Sequence, residues 1–176
     1  MIGRLAQKVR VPLGFVVAAA VLYFAKPTGI SILAGLPFAL VGIIFRALAA
    51  GVIKKDSTLA RTGIYSLTRS PLYFGSALLA VGFAIMSADE IAATLLGVPF
   101  VLIYPRVILR EEEHLERLFP AEFRKYKAAV PRFFPRLTLH PQLTFSFNQY
   151  IANREYNSAM GLIGALALFL VKRWLG

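Results

Sequence analysis

Apolar and polar positions along this chain come in blocks. Val11–Ala25, Ile30–Ile53, Pro71–Met86, Ile91–Leu109 and Met160–Val171 are apolar runs, separated by short polar or charged segments. A hydrocarbon core of about 30 Å takes about 20 apolar residues of helix, so Ile30–Ile53 is long enough to span. Val11–Ala25 is short for a bilayer and would begin at Val9, tilt, or thin the membrane locally. The pattern predicts four membrane helices, with turns at Lys26-Pro27-Thr28-Gly29 and Ser87-Ala88-Asp89-Glu90. The short second turn makes the third and fourth spans an antiparallel hairpin. Met160–Val171 reads as a fifth span extended upstream through Tyr150, or as a helix lying in the interface; the span is preferred. From Arg106 to Arg136 the chain is polar, with charges alternating on a helix over Arg110–Leu118 and VPRFFP at Val130–Pro135 ending it. Thr138–Asn157 is mixed, with Phe145, Phe147 and Tyr150 as interfacial anchors.

Composition sharpens this picture. Hydrophobic residues make up 57% and charged residues 16% of 176, and mean hydropathy is +0.64. Those values fit a polytopic membrane protein and not a soluble domain of this size. The expected fold class is therefore all-α, a transmembrane bundle of about five helices. Cysteine is absent, which excludes a disulfide framework and a thiolate metal site. The net charge of +11 flanks the apolar runs, as the positive-inside rule expects, and no basic stripe interleaved with aromatics suggests nucleic acid. Lys54–Ser70 carries Lys54, Lys55, Arg61 and Arg69 against Asp56 alone, so it is expected on the cytoplasmic side, with acidic Ser87–Glu90 outside. Basic Met1–Arg10 followed by Val11–Ala25 reads as a retained first span, because no small-residue cleavage site follows Ala25. Arg46 lies inside the second run. An intramembrane arginine is a functional candidate by default, but the nearby Lys54-Lys55 end favours snorkelling to the headgroups.

The chain is organised around Leu59–Gly75, LARTGIYSLTRSPLYFG. Pro71 suits the first turn of a helix and Ser70 its N-cap. This delivers Arg69 and a helix N-terminus to the membrane surface, where an anionic group is favoured. Of nine carboxylates, Glu111, Glu112, Glu113 and Glu116 cluster where the fourth span leaves the membrane. At about 100° per residue, Ile108, Leu115, Leu118 and Phe119 form an apolar stripe. Glu111 falls inside it, Glu112 on its edge, and Glu113 with Arg117 opposite, as an ordinary i,i+4 surface pair. A carboxylate on the packed face needs a partner; Arg69, Arg110 or a bound cation would serve. His114 and His140 are far apart, so no metal site is expected. Ser57, Thr58, Ser66, Thr68 and Ser70 have no His–Asp partners, which argues against a hydrolase triad.

These blocks carry a resemblance. LARTGIYSLTRSPLYFG, then Glu111-Glu112-x-x-Leu115-x-x-x-Phe119, then Phe123-x-x-Tyr126-x-x-x-Val130-Pro131-Arg132-x-x-Pro135 resembles the isoprenylcysteine carboxyl methyltransferase and phospholipid methyltransferase superfamily. The match covers about Ser57 to Pro135, close to half the chain, in the expected order. It implies one membrane methyltransferase domain over 1–176, with a core at 57–135 and a C-terminal helix at 144–175. The implied cofactor is S-adenosylmethionine, contacted by Ser57, Thr58, Leu59, Ala60, Tyr65, Ser70, Pro71, Leu72, Tyr73 and Glu111. Arg69 with the Ser70–Tyr73 helix start would hold its carboxylate, and Glu111 its ammonium or sulfonium side. Glu111, Glu112, Arg106 and Arg110 are the candidate catalytic residues, with Arg106 and Arg110 placed to meet an anionic acceptor group. Two positions depart from the pattern: Ser70 stands for the family histidine before the proline, and Val107 for an arginine of the prenylcysteine enzymes. The implied acceptor is a lipid or lipid-modified amphiphile from the bilayer, by carboxyl or amine methylation. A non-catalytic scaffold or carrier that kept the fold is the rival from another class.

Overall fold

The computed structural model describes residues 14, 16–54, 57–136 and 144–175. Met1–Arg10, the start of the first apolar run and His140 lie outside them, as does the beginning of Thr138–Asn157. Among the described residues the protein is all-helical. In order come α1 (residues 16–24), α2 (Gly29–Ala50), a 3-10 turn (Gly63–Ser66), α3 (Pro71–Ser87), α4 (Glu90–Leu118), α5 (Pro120–Ala129), α6 (Phe147–Ala152) and α7 (Tyr156–Leu175). α2, α4 and α7 are long and apolar enough to cross a membrane, and α3 is a shorter apolar helix. The protein is an integral membrane protein built as a helical bundle. α4 runs unbroken from the membrane into the polar region, through Pro99 and Pro105. The charged Arg110–Leu118 segment is thus the exposed end of the fourth span.

α2 starts with a capping box: Ser31 N–H donates to Thr28 Oγ1 at 3.0 Å, and Thr28 N–H donates to Ser31 Oγ at 2.9 Å. Its contact with α3 is a seam of small residues, Gly35, Ala39 and Gly42 against Gly75 and Gly82. A Cβ on Gly42 would stand 2.6 Å from Gly75 O, so only glycine permits this backbone approach. Pro71 occupies the first turn of α3 and Ser70 its N-cap position, as expected, but the Ser70 hydroxyl makes no capping hydrogen bond. α4 is capped by Asp89, whose carboxylate accepts from Ile91 and Ala92 N–H. The Ala92 N–H and Lys26, 3.0 Å away, hold its carboxyl below the usual range.

Lys26 N–H donates to Ser87 O at 2.7 Å, so the α1–α2 and α3–α4 turns share one end of the bundle. Lys172 of α7 reaches the same end, donating to Leu22 O and to Tyr23 O. At the opposite end Asn153 donates to Ala50 O and Ile53 O, closing α2. Two expectations are corrected here. The fifth span does not extend through Tyr150, because the chain breaks at Asn153–Glu155, with Arg154 left-handed at φ 54°, before α7 begins. Arg46 does not snorkel. Its Nε lies 2.7 Å from Glu155 Oε1, its Nη2 donates to Ser158 Oγ at 3.1 Å, and Nη1 donates to Ser76 Oγ. Glu155 in the break before α7, Ser158 of α7 and Ser76 of α3 supply the acceptors that the headgroups would otherwise provide.

Candidate active site

At the end of the bundle that holds Lys54–Ser70, the chain pairs with itself across a long sequence gap. Arg69 N–H donates to Pro131 O at 2.9 Å and Arg136 N–H to Leu67 O at 2.8 Å. Buried Thr68 Oγ1 sits between Phe133 O (2.9 Å) and Arg132 O (3.2 Å). The Val-Pro-Arg segment does not end the Arg110–Leu118 helix as expected, since α4 stops at Leu118 before Pro120; it follows α5 and fixes the loop that enters α3. α5 underlies this layer. Phe123 is fully buried, and Tyr126 OH donates to Tyr65 O at 2.6 Å. Burial pushes both phenols well above the ordinary tyrosine range, reinforced at Tyr65 by Glu111 and opposed at Tyr126 by Arg69. Both stay neutral, and Tyr126 acts as the donor.

Glu112 is the buried carboxylate of α4. Its Oε1 lies 3.0 Å from Arg69 Nη1, and its Oε2 lies 3.0 Å from both Nε and Nη2 of Arg132. The Arg69 guanidinium also stands over the Phe123 ring, 6.0 Å from its centroid. Burial lowers the Arg69 pKa, and Glu112 opposes that shift. The Arg69–Glu112 contact is misaligned, so Arg69 Nε and Nη1 and Glu112 Oε1 are buried without a hydrogen bond. Glu111 is only partly buried and Leu118 is 43% exposed. The expected facing is thus corrected. The packed stripe is Ile108, Glu112, Leu115 and Phe119, and counting Leu118 in it had turned the stripe toward Glu111.

A cavity of about 310 Å³ opens beside this ion triad, at the small end of ligand-binding sites. Thr58, Leu59, Ala60, Tyr65, Arg69 and Glu111 line it together, with Lys54, His114 and Tyr126. Ser57, Ser70, Pro71, Leu72 and Tyr73 do not line it. Ser70 and Pro71 are buried beneath the loop, and the Tyr73 ring packs edge-on to Tyr104. Arg106 and Arg110 are exposed and also stand outside it, with Arg106 Nη1 donating to Leu102 O. A second cavity of about 280 Å³ lies between α4 and the segment after α5, lined by Phe100, Tyr104, Ile108, Arg132 and Phe133 among others. Arg69 faces the first cavity and Arg132 the second, and Glu112 joins them. No role was foreseen for Arg132, Tyr126 or His114; the Val-Pro-Arg motif was the available signal for the first.

The profile of phospholipid methyltransferases matches residues 38–122. A second comparison gives 34% identity over 148 residues to the nickel-cobalt-cadmium resistance protein NccN of Alcaligenes xylosoxydans xylosoxydans, 80% of this chain and 68% of NccN. The chain belongs to the phospholipid methyltransferase family. It is also 39% identical over 106 residues to the cobalt-zinc-cadmium resistance protein CzcN of Cupriavidus metallidurans, covering 60% of this chain. The chain spans about half the length of CzcN, 48%, in that match. No solved structure matches. The family match takes in the 57–69 loop, α3 and all of α4, so it includes Arg69, Glu111 and Glu112. Among the described residues no cluster of His, Cys, Asp and Glu could hold a metal ion.

Proposed function

We propose that this family member methylates a lipid-like or prenylated amphiphile at the membrane surface, in the manner of the isoprenylcysteine carboxyl methyltransferases, with S-adenosylmethionine as cofactor. The observation that carries this reading is Arg69: a buried guanidinium with unused donors, at the wall of a cavity that is lined, among the described residues, by one carboxylate, Glu111. That pairing of fixed positive and negative charge suits a zwitterionic, cationic cofactor. Arg69 would bind its carboxylate, Glu111 its ammonium or sulfonium side, and Thr58, Leu59 and Ala60 its remaining contacts. When bound, the cofactor supplies an electrophilic methyl group. The protein's part is to orient and desolvate, since direct displacement depends on alignment more than on proton transfer. Glu112 is committed to two arginines and is a poor general base. This favours an acceptor that needs no proton removed, such as a carboxylate. An amine headgroup is the second reading, suggested by the family's phospholipid chemistry, and would leave Glu111 to take the proton. The basic loop charge supports a cytoplasmic position for the cavity end.

Calorimetric titration of the purified chain with S-adenosylmethionine tests the cofactor. Binding that is abolished in Arg69→Met supports the reading, and no binding to the native chain leaves the scaffold alternative. Mass spectrometry of lipid extracts incubated with labelled methyl donor then identifies the acceptor.

A further inference from the structure

Residues 144–155 lie outside the family match, yet they hold backbone that leads into the wall of the first cavity. The last carbonyls of a helix have no partner within it, and at the end of α2 they are met from far along the chain. Asn153 Nδ2 donates to Ala50 O at 2.8 Å and to Ile53 O at 3.1 Å, and Ser146 N–H donates to Gly51 O at 3.0 Å. A side-chain amide nitrogen carries two hydrogens, so Asn153 serves both carbonyls at once. The Phe145 ring packs so closely on Gly51 that a Cβ there would run into it. Ile53 and Lys54, at the end of this turn, line the cavity. A second tether lies on the other side of Thr58, Leu59 and Ala60. Thr62 Oγ1 and Thr144 Oγ1 are 3.1 Å apart, and a Cβ on Gly63, at φ 64°, would stand 3.1 Å from Thr144 O. Those three wall residues therefore sit, in sequence, between two points held by one segment. The segment is itself made fast to the bundle, because Glu155 and Ser158 both bond Arg46 of α2.

We infer that residues 144–155 form a strap that sets the shape of the cofactor site, with Asn153 as its positioning residue. The inference rests on the proposed S-adenosylmethionine site and adds to it a determinant from outside the family-matched segment. Asn153 does not line the cavity; it acts through the turn at residues 50–53. A wall fixed before the ligand arrives spares binding the cost of ordering it. Loosening the strap therefore shows as weaker cofactor binding and a more mobile loop, in a chain that is still folded.

The test has two readouts, both on the full chain in neutral detergent well below its Tm. Calorimetry gives the Kd for S-adenosylmethionine. A nitroxide on Arg61→Cys, an exposed position beside the loop in a chain without cysteine, reports loop mobility with no ligand present. Asn153→Leu, close in size but without donors, should raise Kd about tenfold, the equivalent of two lost hydrogen bonds, and should sharpen the nitroxide spectrum. Asn153→Gln keeps the amide donors and should restore part of both. Thr144→Val, at an exposed position where folding is not at risk, should move both readouts in the same direction by less, and carries the test if Asn153→Leu does not fold. Asp89→Ala removes a helix cap at the opposite end of the bundle; it should lower Tm and leave Kd and spectrum unchanged. A native Kd and spectrum in Asn153→Leu, or an equal rise of Kd in Asp89→Ala, overturns the strap. A native chain that binds no S-adenosylmethionine while the nitroxide still responds to Asn153→Leu sinks the methyltransferase reading alone. Tight cofactor binding that is indifferent to Asn153→Leu and Thr144→Val sinks the strap alone.

Discussion

Glu112→Gln tests the ion triad most directly, because it keeps the size of the side chain and removes its charge. The two arginines would respond differently. Arg132, at 47% side-chain exposure, regains water, whereas Arg69, at 8%, stays buried without a counter-charge. Removing one partner of a buried pair costs about 3–5 kcal/mol. One arginine of the two is buried and the new amide still accepts a hydrogen bond, so the low end applies, about 3 kcal/mol. For a chain of this length each kcal/mol moves Tm by about 2–4 °C, giving a fall of about 6–12 °C. Thermal scanning of purified protein in neutral detergent measures it. Glu113→Gln, at an exposed position, should stay within about 0.5 kcal/mol of the native chain. Arg69→Met with Glu112→Leu should recover most of the lost stability, since apolar replacement of a whole buried pair is often neutral. The same double variant should still fail to bind cofactor. If Glu113→Gln lowers Tm as far as Glu112→Gln does, or the double variant is the least stable of all, the triad argument is wrong.

Glu111→Gln should weaken cofactor affinity by about 1.5–3 kcal/mol, as for a lost charged hydrogen bond, and leave Tm near native; calorimetry and thermal scanning read the two effects separately. Tyr126→Phe strips the buried Tyr65 carbonyl of its donor and should cost about 1–3 kcal/mol in the same scans. Asp89 has its pKa depressed on folding, so its stabilisation is present above its unfolded value of about 3.9 and disappears as pH falls through the lower folded value. An acid scan of Asp89→Ala should lack that loss, and an identical acid limb would contradict the assignment. Single cysteines at Ala88 and Ala128, in a chain without cysteine, should react with an impermeant reagent from opposite sides of the membrane; labelling from the same side would break the bundle.

The sequence made the membrane helices legible because a bilayer demands length and apolarity, which are properties of a local window. The Ser70-Pro71 helix start was legible for a similar reason, as the covalent structure of proline sets it. Features that depend on distant partners were not. Glu111 and Glu112 differ by one residue, and a stripe drawn through Leu118 put the wrong one on the packed face. The side chain that settles the matter is Arg132, brought to α4 by pairing of Leu67–Arg69 with Pro131–Arg136. Arg46 was misjudged because its acceptors are distant in sequence: Ser76 on α3, Glu155 just before α7 and Ser158 within it. The cavity-lining loop residues Thr58, Leu59 and Ala60 entered through family resemblance alone, since nothing in their own chemistry marks them.

Arg46 and Glu155 are 109 residues apart, and this separation has a consequence for biosynthesis. At about 5–20 residues per second, α2 waits roughly 5–20 s for its partner after entering the bilayer. During that interval an arginine in a membrane helix costs about 2.5–3.5 kcal/mol on insertion scales. The nascent chain can lower that cost by turning Arg46 toward the headgroups, then withdrawing it when α7 arrives. Snorkelling would then be a stage in the life of the chain rather than its resting state. Photocrosslinking from position 46 should capture lipid in chains stalled before Glu155 and α7 in completed ones. Lipid adducts of equal yield at both stages would show that the switch does not occur.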